Sequence, residues 1–116
     1  MAIAITTPTV GKFGFILNAT SADASGCEVL KAGAAGQSIV VDHITINSAA
    51  AITVTIGEGE TDSGVTTALI GPIAMAANSS IQWDFPSGII LTAAAALTVD
   101  ASGAGAICVF AYGRVI

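Results

Sequence analysis

From residue 39 onward the chain is cut into short runs of Ile, Val and Thr separated by Gly, Asn, Asp, Ser or Pro, and within the runs apolar and polar residues alternate. A period of two is the signature of a strand that buries one face. Ile52, Val54 and Ile56 alternate with Thr53 and Thr55, and Ile81, Trp83 and Phe85 with Gln82 and Asp84. In Ile39 to Asn47 the same reading puts Val40, Ile44 and Ile46 on one face and Val41, His43, Thr45 and Asn47 on the other. Ser48 to Ala51 reads as a hairpin connection. Leu69 to Met75 is a further run, and its Gly71-Pro72 marks an edge strand or a bulge. Asn78-Ser79-Ser80 is a turn, Pro86-Ser87-Gly88 closes the strand that follows it, and Ile89 to Thr92 starts another.

Ala93 to Ala96 has helical propensity, but four residues cannot sustain a helix, and alternation resumes at once with Leu97 and Val99 inward, Thr98 and Asp100 outward. The last strand spans Ala106 to Val115. Ile107, Val109 and Ala111 lie on one face and Cys108, Phe110 and Tyr112 on the other, so both faces are apolar and the strand is central or covered by another subunit. Nearer the N-terminus, Ala2 to Thr6, Phe13 to Leu17 and Cys27 to Lys31 read as strands and Asn18 to Gly26 as a loop. Eight to ten short strands in 116 residues predict one all-β domain, residues 1–116, a β-sandwich of the jelly-roll kind. Periodicity does not separate a jelly roll from an immunoglobulin-like sandwich, and the Cys27, Trp83, Cys108 order is discounted as a sign of the latter because Trp83 follows Cys27 by 56 residues and precedes Cys108 by only 25, the reverse of the usual placement.

Composition narrows the function. Only 9% of residues are charged, and three Lys and Arg stand against eight Asp and Glu for a net charge of −5. Too few cations exist for a phosphate-binding stripe, so nucleic acid is not an expected partner. The apolar share is 53%, yet Thr, Ser, Asn, Asp or Gly interrupts every run before the 18 to 20 residues a membrane helix needs, so no membrane partner is expected either. No charged segment precedes an apolar one at the N-terminus, so the chain is expected to be made and assembled inside a cell. The tripeptides Asn18-Ala19-Thr20 and Asn78-Ser79-Ser80 are then chance matches to a glycosylation pattern. Cys27 and Cys108 fit no metal spacing and read as two small buried apolar residues, with a disulfide as the alternative.

Catalytic signals are missing. No phosphate loop, nucleotide fingerprint, GxSxG elbow or HExxH occurs, and no Ser, His and Asp set is legible at a useful spacing. His43 is the sole histidine, and its neighbour Asp42 is expected on the opposite face of the strand. Glu58, Glu60 and Asp62, in a loop from Gly57 to Gly64, are a candidate oxygen cluster for Ca²⁺; the competing reading is a solvated hairpin tip that keeps a charge-poor protein from aggregating. No cofactor is expected. An abundance of small residues and the doubly apolar last strand favour self-association, with Phe110 and Tyr112 as anchors.

The stretch LIGPIAMAANSSIQWDFPSGIILTAAAALTVDASGAGAICVFAYGRVI, residues 69–116, resembles a pattern in small structural proteins of tailed phages. Its parts are the Gly71–Asn78 strand and turn, the Trp83–Ile89 segment, the pair of strands after it and the glycine-flanked terminal strand; ITVTIGEGET supplies the hairpin that precedes them. The resemblance implies a virion protein, assembled in the host cytoplasm, with a jelly-roll-like sandwich and no catalytic residue. The best-fitting role is a head decoration (cement) protein that sits as a homotrimer on the outside of the capsid, bound to the major capsid protein, and resists the pressure of packaged DNA. Met1 to Gly11, apolar apart from its threonines, reads as an arm that adds a strand to a neighbouring sheet. The candidate contact residues are Ile3, Ile5, Phe110 and Tyr112. A tail, neck or fibre component, and a TNF-like or lectin-like binding module, are the alternatives.

Overall fold

The computed structural model describes residues 3–7, 14–21, 26–60, 64–103 and 106–116. Among them are nine strands and no helix: β1 (Ala4–Thr6), β2 (Gly14–Ser21), β3 (Gly26–Lys31), β4 (Ile39–Ser48), β5 (Ile52–Glu60), β6 (Val65–Met75), β7 (Ser79–Ile90), β8 (Leu97–Ala101) and β9 (Ile107–Val115). They form two antiparallel sheets, ordered β1-β2-β9-β4-β7 and β3-β8-β5-β6. From β2 onward the chain changes sheet at every connection except the β5–β6 hairpin, and the last strand, β9, returns to pair with β2. That winding is the jelly roll.

The core between the sheets is aliphatic. Leu17, Ile44, Ile46, Val54, Val99 and Val109 are among its most buried members, each contributed by every second residue of its strand. Two buried hydroxyls are satisfied locally: Ser48 donates to the Ala50 carbonyl at 2.7 Å and Thr98 to the Gly59 carbonyl at 2.8 Å. Trp83 packs half-buried against the core. As expected, β9 is central, Gly71-Pro72 is a bulge on the edge strand β6, and Ala93 to Ala96 is a turn region.

Four expectations are corrected. Ser48 to Ala51 is not a hairpin: β4 and β5 lie in different sheets, so the segment arches across the sandwich. Asn18 to Ser21 is not a loop but the second half of β2, paired with Phe110 to Ile107. Pro86-Ser87-Gly88 does not end a strand; β7 runs on to Ile90, and Phe85 to Gly88 stand opposite the single residue Asp42. The matching register shift between Val41 and His43 overturns the face assignment of β4. Ile39 and Val41, not Val40, join Ile44 and Ile46 in the core, because an inserted residue inverts the alternation before it. Val40 is buried on the other side of the sheet, where the backbone of Gly88 lies over its side chain.

Candidate functional site

The outward face of the five-stranded sheet carries the polar and aromatic side chains that register brings together. Across β2, β9, β4 and β7 it sets Ile16, Tyr112, His43 and Asp84 in one row, and Asn18, Phe110, Thr45 and Gln82 in the next. His43, in the first row, also touches Thr45 and Phe110 of the second. Its Nδ1 lies 2.6 Å from Asp84 Oδ1 and its Nε2 lies 2.7 Å from Thr45 Oγ1. An ionised carboxylate only accepts, so Nδ1–H donates to Asp84 and, in the neutral ring, Nε2 accepts from the Thr45 hydroxyl. The imidazole also stacks on Tyr112, with centroids 5.0 Å apart and planes 9° off parallel, while Phe110 meets both rings edge-on at 6.0 and 6.2 Å.

The β4 bulge completes the site. Contrary to expectation, it turns Asp42 to the same face as His43, where both carboxylate oxygens accept from Arg114 Nη1 at 2.8 and 3.0 Å. The kinked part of β7 stands beside them, leaving an open depression of about 420 Å³ lined by Asp42, Asp84, Phe85, Pro86, Tyr112 and Arg114. Tyr112 remains 40% exposed.

Sequence reasoning found no Ser, His and Asp set, yet Thr45, His43 and Asp84 stand in the order nucleophile, base and carboxylate. The signal was absent because Asp84 comes from a strand 41 residues away. Acyl transfer also needs donors aimed at a developing oxyanion. Beside Thr45 the ladders to β7 and β9 occupy both edges of β4, so its backbone N–H groups are not available as oxyanion donors there.

The other sequence candidates lie elsewhere. Glu58 and Glu60 belong to β5 rather than to a loop, and Asp62 lies outside the described residues. Both Glu58 oxygens are engaged by Thr92, its N–H at 2.7 Å and its hydroxyl at 3.0 Å. Among the described residues no three His, Cys, Asp or Glu side chains gather as a metal site. Cys27 and Cys108 are half-buried rather than buried, and free. They sit on different sheets, Cys108 donating to Asn18 Oδ1 at 3.2 Å. Burial, with the charges of Glu60 and Asp100, pushes the Cys27 thiol up, against the opposing effect of a side-chain hydrogen bond with Thr98. The four contact candidates divide between two surfaces. Ile3 packs against the core and Ile5, opposite Ala19, is 39% exposed at the sheet edge, whereas Phe110 and Tyr112 belong to the outward face.

No protein-family model and no curated protein matches the chain. Among solved structures it is similar to a chain of the cyanophage Pam1 capsid asymmetric unit, at 12% identity over 94% of this chain and 91% of that one, with a TM-score of 0.42. A chain of the infectious bursal disease virus Gx strain is similar at 12% identity over 99% of this chain and 37% of that one, TM-score 0.36. Hydroquinone 1,2-dioxygenase from Sphingomonas sp. TTNP3 is similar at 12% identity over 90% and 62%, TM-score 0.28. Likeness at this distance leaves function to be read from the chain's own surfaces.

Proposed function

We propose that the protein is a non-enzymatic structural component of a virion, a decoration protein of a tailed-phage capsid that assembles as a ring of three and binds the outer lattice of the major capsid protein. The resemblance over residues 69–116 supports this reading, and those residues hold β7, β8, β9 and the second half of β6. The observation that carries it is the pair of rims of the five-stranded sheet. β1 and β7 are its two edge strands, and each exposes an isoleucine, Ile5 at 39% and Ile90 at 60%.

A cyclic trimer needs two unlike patches per subunit, each covered by the other patch of a neighbour. Edge strands with apolar side chains are suited to such pairing, and in a chain with 9% charged residues they carry little to repel it. Ile3, packed on the core, anchors β1, and Ile5, in register with the buried Ala19, is left 39% exposed at the open rim of the same face. The rest of the Met1–Gly11 arm beyond residues 3–7 lies outside the described residues. Each subunit then adds a modest interface to the lattice, and repetition over many copies resists expansion of the shell.

Native mass by size exclusion with light scattering tests the reading. A concentration-independent species at three times 11.4 kDa, unchanged by EDTA, is expected. A monomer overturns it. An open polymer or larger ring, produced by the same unlike patches if their rotation fails to close at three, transfers the protein to the tail or neck.

A further inference from the structure

We propose that the depression between Tyr112, Asp84 and Arg114 is a binding subsite for a neutral saccharide. Its volume of about 420 Å³ lies in the range of small-ligand pockets, roughly 300 to 1,000 Å³. His43 stacks on one face of the Tyr112 ring and Phe110 makes a T-shaped contact with it, so the exposed part of Tyr112 is a fixed apolar surface rather than a loose side chain. Phe85 and Pro86 continue the apolar wall.

Around this platform donors and acceptors are mixed. Asp84 gives Oδ1 to His43, and with its side chain 70% exposed its Oδ2 has no other partner among the described residues. Arg114 donates to Asp42 through Nη1 alone, which leaves Nη2 and Nε as donors toward solvent among the described residues. An anion would meet Asp42 and Asp84 together, two negative charges against one positive. A cation would meet the Arg114 guanidinium. A pyranose satisfies all three elements at once: its C–H groups pack against the exposed part of Tyr112 and the wall of Phe85 and Pro86, and adjacent hydroxyls both donate to the carboxylate and accept from the guanidinium. Few of these groups need to move, since His43 already fixes the tyrosine and the carboxylate together, and fixed first contacts lower the cost of binding. The inference does not depend on the oligomeric state proposed above.

Backbone amide NMR of the native protein tests it, with maltose, cellobiose and lactose titrated separately to about 50 mM, enough to populate a site of about millimolar Kd. At least one sugar is expected to give saturable shifts confined to Asp42, Asp84, Phe85, Tyr112 and Arg114. Tyr112→Ala is expected to weaken that binding about tenfold or more, and Asp84→Asn, an exposed change that leaves the fold intact, about threefold to tenfold. The proposal is overturned if no sugar shifts these residues, or if glycerol shifts them equally. It is also overturned if choline or sulfate shifts them while the sugars do not, or if Asp84→Asn binds like the native protein. A monomer that binds sugar overturns the trimer alone, and a trimer that does not bind overturns the subsite alone.

Discussion

At the scale of single residues, His43 and Cys27 show how little a side chain's type says before its neighbours are known. His43 could have been a core or surface histidine; its contacts with Tyr112, Asp84 and Thr45 make it the fastening of an outward face. Cys27 is on the outward side of the other sheet, opposite Asp100. Burial there, and then the negative charges of Glu60 and Asp100, raise its thiol above the ordinary 9.0. Because the folded value is raised, the stability that this group contributes is complete below pH 9.0 and is lost as pH climbs through the higher folded value. Iodoacetamide at pH 8 is expected to modify Cys27 more slowly in the native protein than in urea, followed by peptide mass spectrometry. Equal rates would remove the claim that the thiolate is disfavoured in the fold.

At the scale of elements, the strand irregularities decide where side chains go. One inserted residue, Asp42, faces four on β7, and that mismatch produces both the inverted burial of Val40 and the hollow beside Tyr112. Gly113 on β9 lies where β4 passes closest. A Cβ there would run into the Val40 carbonyl and reach within 3.1 Å of the Phe15 ring. Gly113→Ala is expected to cost about 3 kcal/mol or more in urea unfolding, since backbone on a central strand cannot step aside. Glu58 ties the β7–β8 connection to β5 through Thr92. Glu58→Ala should therefore lower stability by about 1 to 2 kcal/mol and speed amide exchange at Thr92; native exchange there would show that the two hydrogen bonds do not hold the loop.

For the whole molecule, the jelly roll leaves four strand edges, and the two on the larger sheet, β1 and β7, each expose an isoleucine. Closure of a ring through β1 and β7 predicts that Ile5→Asp and Ile90→Asp each dissociate the trimer while the monomer keeps its far-ultraviolet spectrum, because one charged rim suffices to break a heterologous contact. Light scattering of both variants checks this. If either remains trimeric, its rim is not the contact. Ile116, 61% exposed and joined to Ser38 by two backbone hydrogen bonds, follows the central strand β9 and belongs to neither rim, so it serves as the neutral control: Ile116→Asp should leave the mass unchanged.

The all-β class, the strands around Ile52–Ile56 and Ile107–Ala111, the bulge at Gly71-Pro72 and the turn after Thr92 were all legible in the sequence. Each depends on local rules: a period of two, and residues that interrupt it. Sheet membership was not legible, which is why Ser48 to Ala51 passed for a hairpin. Nor was the bulge at Asp42, where Val40 and Val41 are equally apolar and either could have faced the core. The cluster of His43, Asp84 and Tyr112 spans three strands and 70 positions, from 43 to 112. An extended chain dictates which of its own residues share a face, but which residues of distant strands stand side by side follows from register. Register is set by how the whole set of strands buries its apolar side at once, and only the tertiary structure carries that sum.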